Sequence, residues 1–133
     1  VDAAELLEFR ARDDSVPIEV TRISDAAITM GSWTQFAVTY DGSGGATAMN
    51  GAVLYQNGAS IASTATNNAT YVAMENGTST LSLCHSKGAA GAVTNPYLGL
   101  LAVGGLGPLT CNVAATASQI KADYELGRMM LVL

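Results

Sequence analysis

Between Thr34 and Thr64 the chain carries a pattern that few folds can accommodate. Phe36, Val38 and Tyr40 alternate with Gln35, Ala37 and Thr39, the period-2 spacing of a half-buried strand. Asp41-Gly42 closes that run with turn chemistry, and a second run spans Val53 to Gln56. Asn57-Gly58 follows at once. A type I′ turn needs positive φ at both central residues, which Asn and Gly tolerate best, so this pair predicts a tight hairpin. Ile61 to Thr64 is the expected returning strand.

The same rhythm runs along most of the chain. Leu7, Phe9 and Ala11 alternate with Glu8, Arg10 and Arg12, which predicts a strand over residues 5–12. Asp13-Asp14-Ser15 is a turn cluster. Val16, Ile18 and Val20 then alternate with Pro17, Glu19 and Thr21, and Pro17 predicts an edge strand because it cannot donate a ladder bond. Residues 25–30 form a short strand or loop leading into Trp33, and the Gly-rich residues 42–51 predict a flexible surface loop. Asn67-Asn68 marks a turn, residues 71–74 a short strand, and Asn76-Gly77 another hairpin turn. Leu81 and Leu83 have strand spacing, residues 85–95 lack any period and predict a loop, and residues 97–103 and 109–113 predict two further strands. Short strands separated by turns at this spacing point to a sandwich or barrel.

One segment breaks the rhythm. Thr116-Ala-Ser-Gln119 has the form of a capping box. Ala117, Ile120, Tyr124 and Gly127 then recur on one helical face, and Arg128 lies where a cation favours the helix dipole. This predicts a helix over about residues 117–130. The expected core comprises Phe36, Val38, Leu54, Ile61, Leu81, Leu83, Leu100 and Ile120.

Two of these stretches carry a resemblance. Trp33-Thr-Gln-Phe-Ala-Val-Thr-Tyr-Asp-Gly42, with Leu54-Tyr-Gln-Asn-Gly58 and Ile61-Ala-Ser63 after it, resembles the laminin-G-like, concanavalin A-like jelly-roll domains. Gly107-Pro-Leu-Thr110 with Thr116-Ala-Ser-Gln-Ile-Lys-Ala-Asp-Tyr-Glu-Leu-Gly-Arg128 resembles the closing segment of such domains in tailed-phage structural proteins. Ala115 stands where Leu is usual and Asp123 where an apolar residue is common, which thins the apolar seam of the helix. Together the matched stretches cover less than half the chain. The resemblance implies an all-β jelly-roll β-sandwich with a C-terminal α-helix, residues 1–133 forming one domain that lacks the family's first strands. It places Trp33 in the core. It leaves function open, because these domains bind glycans, bind proteins or fill space in assemblies.

Composition narrows the function classes. A chain of 133 residues can bury roughly two thirds of its unfolded surface. Charged residues make up 13%, about half the usual ~25%. Net charge is −5 and the six Lys and Arg form no basic run, which argues against nucleic acid as a partner. No apolar run reaches the ~18 residues of a membrane span. The catalytic inventory is thin. His85 is the single histidine and has no evident triad partners. Cys84, His85 and Cys111 are three soft ligands at irregular spacing, a poor zinc pattern. The two cysteines are either free buried thiols or a disulfide, and spacing alone leaves both open.

Glucanases of the concanavalin A-like kind carry Glu-x-Asp-x-x-Glu on one strand; here Glu5-Leu-Leu-Glu8 lacks the intervening Asp. Some laminin-G-like domains bind calcium at loop tips, and Asp13, Asp14, Asp25 and Asp41 are oxygen donors of the right kind. Their spacing matches no ordered calcium loop, and turn capping is the plainer role. The expected cofactor is therefore none, with calcium as the alternative. Asn68-Ala-Thr70 and Asn76-Gly-Thr78 fit the N-glycosylation pattern. Tyr55 and Tyr71 are the candidate sugar-stacking rings.

Met129, Met130, Leu131, Val132 and Leu133 end the sequence with an apolar run that needs a cover, either a partner chain or the domain's own sheet. The expectation is a non-catalytic structural or adhesion domain of a virion, in a capsid decoration or tail fibre. Its expected partners are other virion proteins, further copies of itself and cell-surface glycans. The alternative is a secreted, lectin-like domain that reads glycans with calcium.

Overall fold

The computed structural model describes residues 5–28, 31–74, 86–87, 93–94 and 113–131. The chain divides into two compact units, one formed by Val1–Glu75 with Thr110–Leu133 and the other by Asn76–Leu109. In the first unit, β1 (Glu8–Asp13), β2 (Ile18–Ser24) and β6 (Ser63–Thr66) form an antiparallel sheet in the order β1-β2-β6. A second antiparallel sheet has the order β3-β4-β5, from β3 (Phe36–Tyr40), β4 (Ala52–Gln56) and β5 (Ala59–Ser60). A 3-10 helix spans Gly45–Gly51, and α1 spans Ala117–Leu131. In the second unit, β7 (Ser86–Lys87) pairs antiparallel with β8 (Val93–Thr94). The described fold is thus mostly β, with one C-terminal helix.

Local chemistry explains several of these elements. Asn57 and Gly58 have φ of 52° and 77°, as a type I′ turn requires, and Gln56 pairs with Ala59 across it. The Asn57 side chain adds a tie: its Oδ1 accepts from the Gln35 N–H at 3.1 Å, and its own N–H donates to the Gln35 carbonyl at 2.9 Å. Helix α1 opens on the expected capping box. The Gln119 N–H donates to Thr116 Oγ1 at 3.3 Å, and the Thr116 N–H donates to Gln119 Oε1 at 2.8 Å. Ile120 is buried, and Tyr124 and Gly127 are half-buried on the expected face, whereas Ala117 is exposed. The helix lies against the hairpin turn. A Cβ added at Gly58 would come within 3.0 Å of Tyr124 Cβ.

The chain changes sheets after the hairpin. The Ile61 N–H still bonds the Leu54 carbonyl, but residues 63–66 pair with β2 instead. The core lies where the sheets meet: Ala11 of β1, Val20 of β2, Ala52 of β4, Ala48 and Met49 of the 3-10 helix, and Tyr71. Phe9, Ile18, Tyr40 and Ala65 pack around it, with the Phe9 and Tyr40 rings 5.7 Å apart between centroids.

Five expectations are corrected here. Residues 42–51 are no free loop, because Ala48 and Met49 are wholly buried. The Met49 N–H donates to Asn67 Oδ1 at 2.7 Å, and its carbonyl accepts from the Arg22 guanidinium at 3.1 Å. Gly44 permits the close packing, since a Cβ there would sit 2.2 Å from the Val72 carbonyl oxygen. Pro17 lies in the turn before β2, so it does not mark an edge, and β2 is the central strand of its sheet. Residues 71–74 form no strand, although Tyr71 is buried. Residues 86–87 and 93–94 pair where a loop was expected. Among the core candidates Leu54 and Ile120 are buried and Ile61 is half-buried, but Phe36 and Val38 are exposed. Alternation shows that Phe36, Val38 and Tyr40 share a face. It does not show that the whole face is covered: Leu54, across from Val38, is buried and Tyr40 packs on the core, while Phe36 and Val38 stay exposed. Leu81, Leu83 and Leu100 lie outside the described residues, as do the strands expected over 80–84 and 97–103, the Asn76-Gly77 turn and residues 109–112. Val113 sits in a bend.

Candidate interaction surface

Strand β3 positions the site. Its pairing with β4 matches Phe36 to Gln56, Val38 to Leu54 and Tyr40 to Ala52 on one face. At the Tyr40–Ala52 end that face enters the core. The Tyr40 hydroxyl donates to the Ser43 carbonyl, and burial beside Tyr71 pushes the phenol above its ordinary range. Two and four residues earlier the same face meets solvent: Val38 is 43% and Phe36 40% exposed. Trp33, just before the strand, is 55% exposed. The expectation that Trp33 belongs to the core is therefore corrected. A Trp, a Phe and a Val are thus exposed within six residues, in a stretch with no charged residue from 32 to 40, and exposed apolar groups of this kind are candidates for an interaction site.

Among the described residues, one side of the β3 backbone is unpaired. The Gln35 N–H and C=O both bond Asn57, on the β4 side. In an antiparallel ladder this direction alternates, so residues 37 and 39 also face β4, while the N–H and C=O groups of Phe36, Val38 and Tyr40 face outward. No described strand pairs with that outer edge.

The other sheet presents a different surface. On the face of β1 and β2 opposite the core, Arg10 bonds Glu8 and Glu19, each at 2.9 Å. Arg12 bonds Asp14 at 2.7 Å and Glu19 at 3.2 Å. These exposed pairs keep a solvated face solvated and contribute little stability.

The acids considered as calcium donors serve local structure. Asp13 is buried, and its Oδ1 accepts from the Ser15 hydroxyl at 2.8 Å and from the Ser15 and Val16 N–H groups. Its Oδ2 accepts from the Val72 N–H at 3.4 Å. The Ser15 hydroxyl, followed by these backbone donors, holds the carboxyl below the usual carboxylate range. Asp41 Oδ1 accepts from the Ser43 N–H, which lowers its carboxyl likewise. Asp25 Oδ1 accepts from the Thr64 hydroxyl at 2.7 Å, and Asp14 pairs with Arg12. Among the described residues no three His, Cys, Asp or Glu side chains converge on a metal position. Glu8 of the Glu5–Glu8 pair is engaged by Arg10.

The proposed sugar-stacking rings are corrected. Tyr55 is 6% and Tyr71 1% exposed, so neither offers a face to a sugar. Asn68 of the first glycosylation pattern is exposed, and its Oδ1 accepts from the Thr70 N–H and hydroxyl. Met129 is 61% exposed in the last turn of α1. Met130 and Leu131 belong to the same helix, so residues 129–131 do not complete a sheet. Val132, Leu133, Cys84, His85, Cys111 and Asn76 lie outside the described residues. Among the described residues no helix is long and apolar enough to cross a membrane.

The sequence holds a signal for the missed surface: residues 32–40 lack charge, whereas β1 and β2 carry it. No protein-family profile matches the chain, and no curated protein matches it. Among solved structures it is similar to an S-layer domain-containing protein (residues 221–444) from Clostridium thermocellum ATCC 27405, with a TM-score of 0.50 and 19% identity. The alignment covers 93% of this chain and 65% of that one, and at such identity the likeness concerns the fold alone.

Proposed function

We propose that this chain is a jelly-roll domain of the laminin-G-like, concanavalin A-like kind, acting as a non-catalytic structural and adhesion module of a virus particle. It would serve in a capsid decoration or a tail fibre, held by protein–protein packing. The observation that carries the reading is the exposure of Trp33, Phe36 and Val38 within residues 32–40, which hold no charge. Charged residues are depleted and aromatic ones enriched at the centre of protein interfaces. Met129, just after the segment whose sequence resembles phage jelly rolls, is another exposed apolar side chain. Packing is favoured over sugar reading because Tyr55 and Tyr71 are enclosed and Asp13, Asp25 and Asp41 serve as local acceptors.

A second reading is a module of a cell-surface protein layer, favoured by the fold likeness to the S-layer domain-containing protein. Fractionation separates the two. An antibody against the domain is used to probe purified particles, cell envelopes and culture supernatant of the source. Recovery at fixed stoichiometry in particles supports the first reading, and recovery in envelopes the second. Free protein in the supernatant that binds a glycan array in calcium but not in chelator contradicts both and favours the lectin.

A further inference from the structure

We propose that the outer edge of β3 is a homotypic docking strand, and that two copies of the chain join their β3-β4-β5 sheets by antiparallel β3–β3 pairing about a two-fold axis at Val38. This deepens the packing function proposed above and rests on it.

Three observations lead to the second copy as occupant. The first is direction. Gln35 spends its backbone groups on Asn57, so Phe36, Val38 and Tyr40 turn theirs outward, and no described strand meets them. The second is self-complementarity. A two-fold axis normal to the sheet keeps each face on its own side, which requires residues of like parity to pair. Centred on Val38, the register sets Val38 against its copy, Phe36 against Tyr40 of the second copy, and Ala37 against Thr39. The outward-facing residues are then the ones that exchange N–H···O bonds, and aromatic and β-branched pairs line the apolar face. The third is charge. A chain of net charge −5 repels its copies, so self-association needs a neutral contact. Residues 32–40 are uncharged. The nearest acid, Asp41, falls opposite Gln35 of the other copy rather than opposite its own equivalent.

The other described edges of the first unit lack this combination. β1 carries Glu8, Arg10 and Arg12, the charged kind of edge that resists strand addition. β6 is a four-residue Ser/Thr strand with no large apolar side chain, and β5 is two residues long, with α1 packed against its turn.

Sedimentation velocity over a wide concentration range tests the proposal on the full chain, with two variants. Val38→Lys places two like charges at the axis and is expected to weaken self-association about 100-fold or more. Val38→Pro removes an N–H that the β3–β4 ladder does not use, and it is expected to abolish pairing. Circular dichroism and melting of dilute samples report whether each variant folds. Because a variant can fail to fold, hydrogen exchange of the unaltered chain supplies a second readout. Protection of the Phe36, Val38 and Tyr40 amides is expected to rise with concentration while that of Ala37 and Thr39 stays constant. A dimer that survives both folded variants, or one that leaves the 36, 38 and 40 amides unprotected, overturns the β3 pairing. A chain monomeric at every concentration overturns it too. In either case recovery of the domain in particles would leave the packing function standing, and its absence there would remove that function independently.

Discussion

The two three-stranded sheets of the first unit are built alike and finished differently. In β1-β2-β6 one face supplies Ala11 and Val20 to the core, and the opposite face carries ion pairs among Glu8, Arg10, Arg12 and Glu19. Each side therefore has its medium. In β3-β4-β5 the face that enters the core at Tyr40 and Ala52 stays covered at Leu54 of β4, but on β3 it meets solvent at Val38 and Phe36, and no charge lies there from 32 to 40. Apolar spacing sets which side chains share a face. Charge placement shows which face is meant for water, and by that measure the second sheet is left for something else to finish.

The largest expected effect lies at the join between the sheets. Met49→Ala empties a wholly buried site and should cost about 2–5 kcal/mol, whereas Phe36→Ala should cost about 1 kcal/mol or less. Denaturant midpoints of dilute samples measure both, and near-equal losses would break the comparison. Gly58→Ala comes next. Its φ of 77° and the approach of Tyr124 strain any side chain there, for an expected loss of about 1–3 kcal/mol in the same assay. Thr116→Ala removes the helix cap and should cost about 1 kcal/mol, with helix content read from far-ultraviolet circular dichroism.

The last effect is read as a slope of stability with pH on the acid side. The Asp13 carboxyl titrates lower in the folded than in the unfolded chain. Its stabilisation is therefore complete above the unfolded value of about 3.9 and is lost as pH falls through the lower folded value. Unfolding midpoints compared between pH about 5 and pH about 3 should fall, and Asp13→Asn should flatten that part of the slope. A slope unchanged by the substitution would mean that the links from Asp13 to Ser15, Val16 and Val72 do not couple to folding.

What was legible in the sequence was local. The Asn57-Gly58 turn depends on two residues' φ, and the Thr116–Gln119 cap on four neighbouring positions, so their signals survive in any context. The β1 and β2 faces were readable because charge and apolarity alternate together there. What escaped depends on distant partners. Met49 is buried because Asn67 and Arg22 clamp its backbone, and nothing within residues 42–51 announces that. Tyr71, outside any strand, enters the core while Phe36, within one, does not. For the site, the rings of Tyr55 and Tyr71 have the chemistry of sugar stacking, but ring chemistry does not report exposure, and both are buried. The better signal was negative: the missing charges from 32 to 40.

Among the described residues no strand meets the outer edge of β3. Residue-resolved amide exchange of a dilute, monomeric sample measures this directly. Ala37 and Thr39, bonded to β4, should exchange slowly, and Phe36, Val38 and Tyr40 should exchange at nearly the rates of an open chain. Slow exchange at all five positions in the monomer would mean that the edge is already paired within the chain, and would contradict the account.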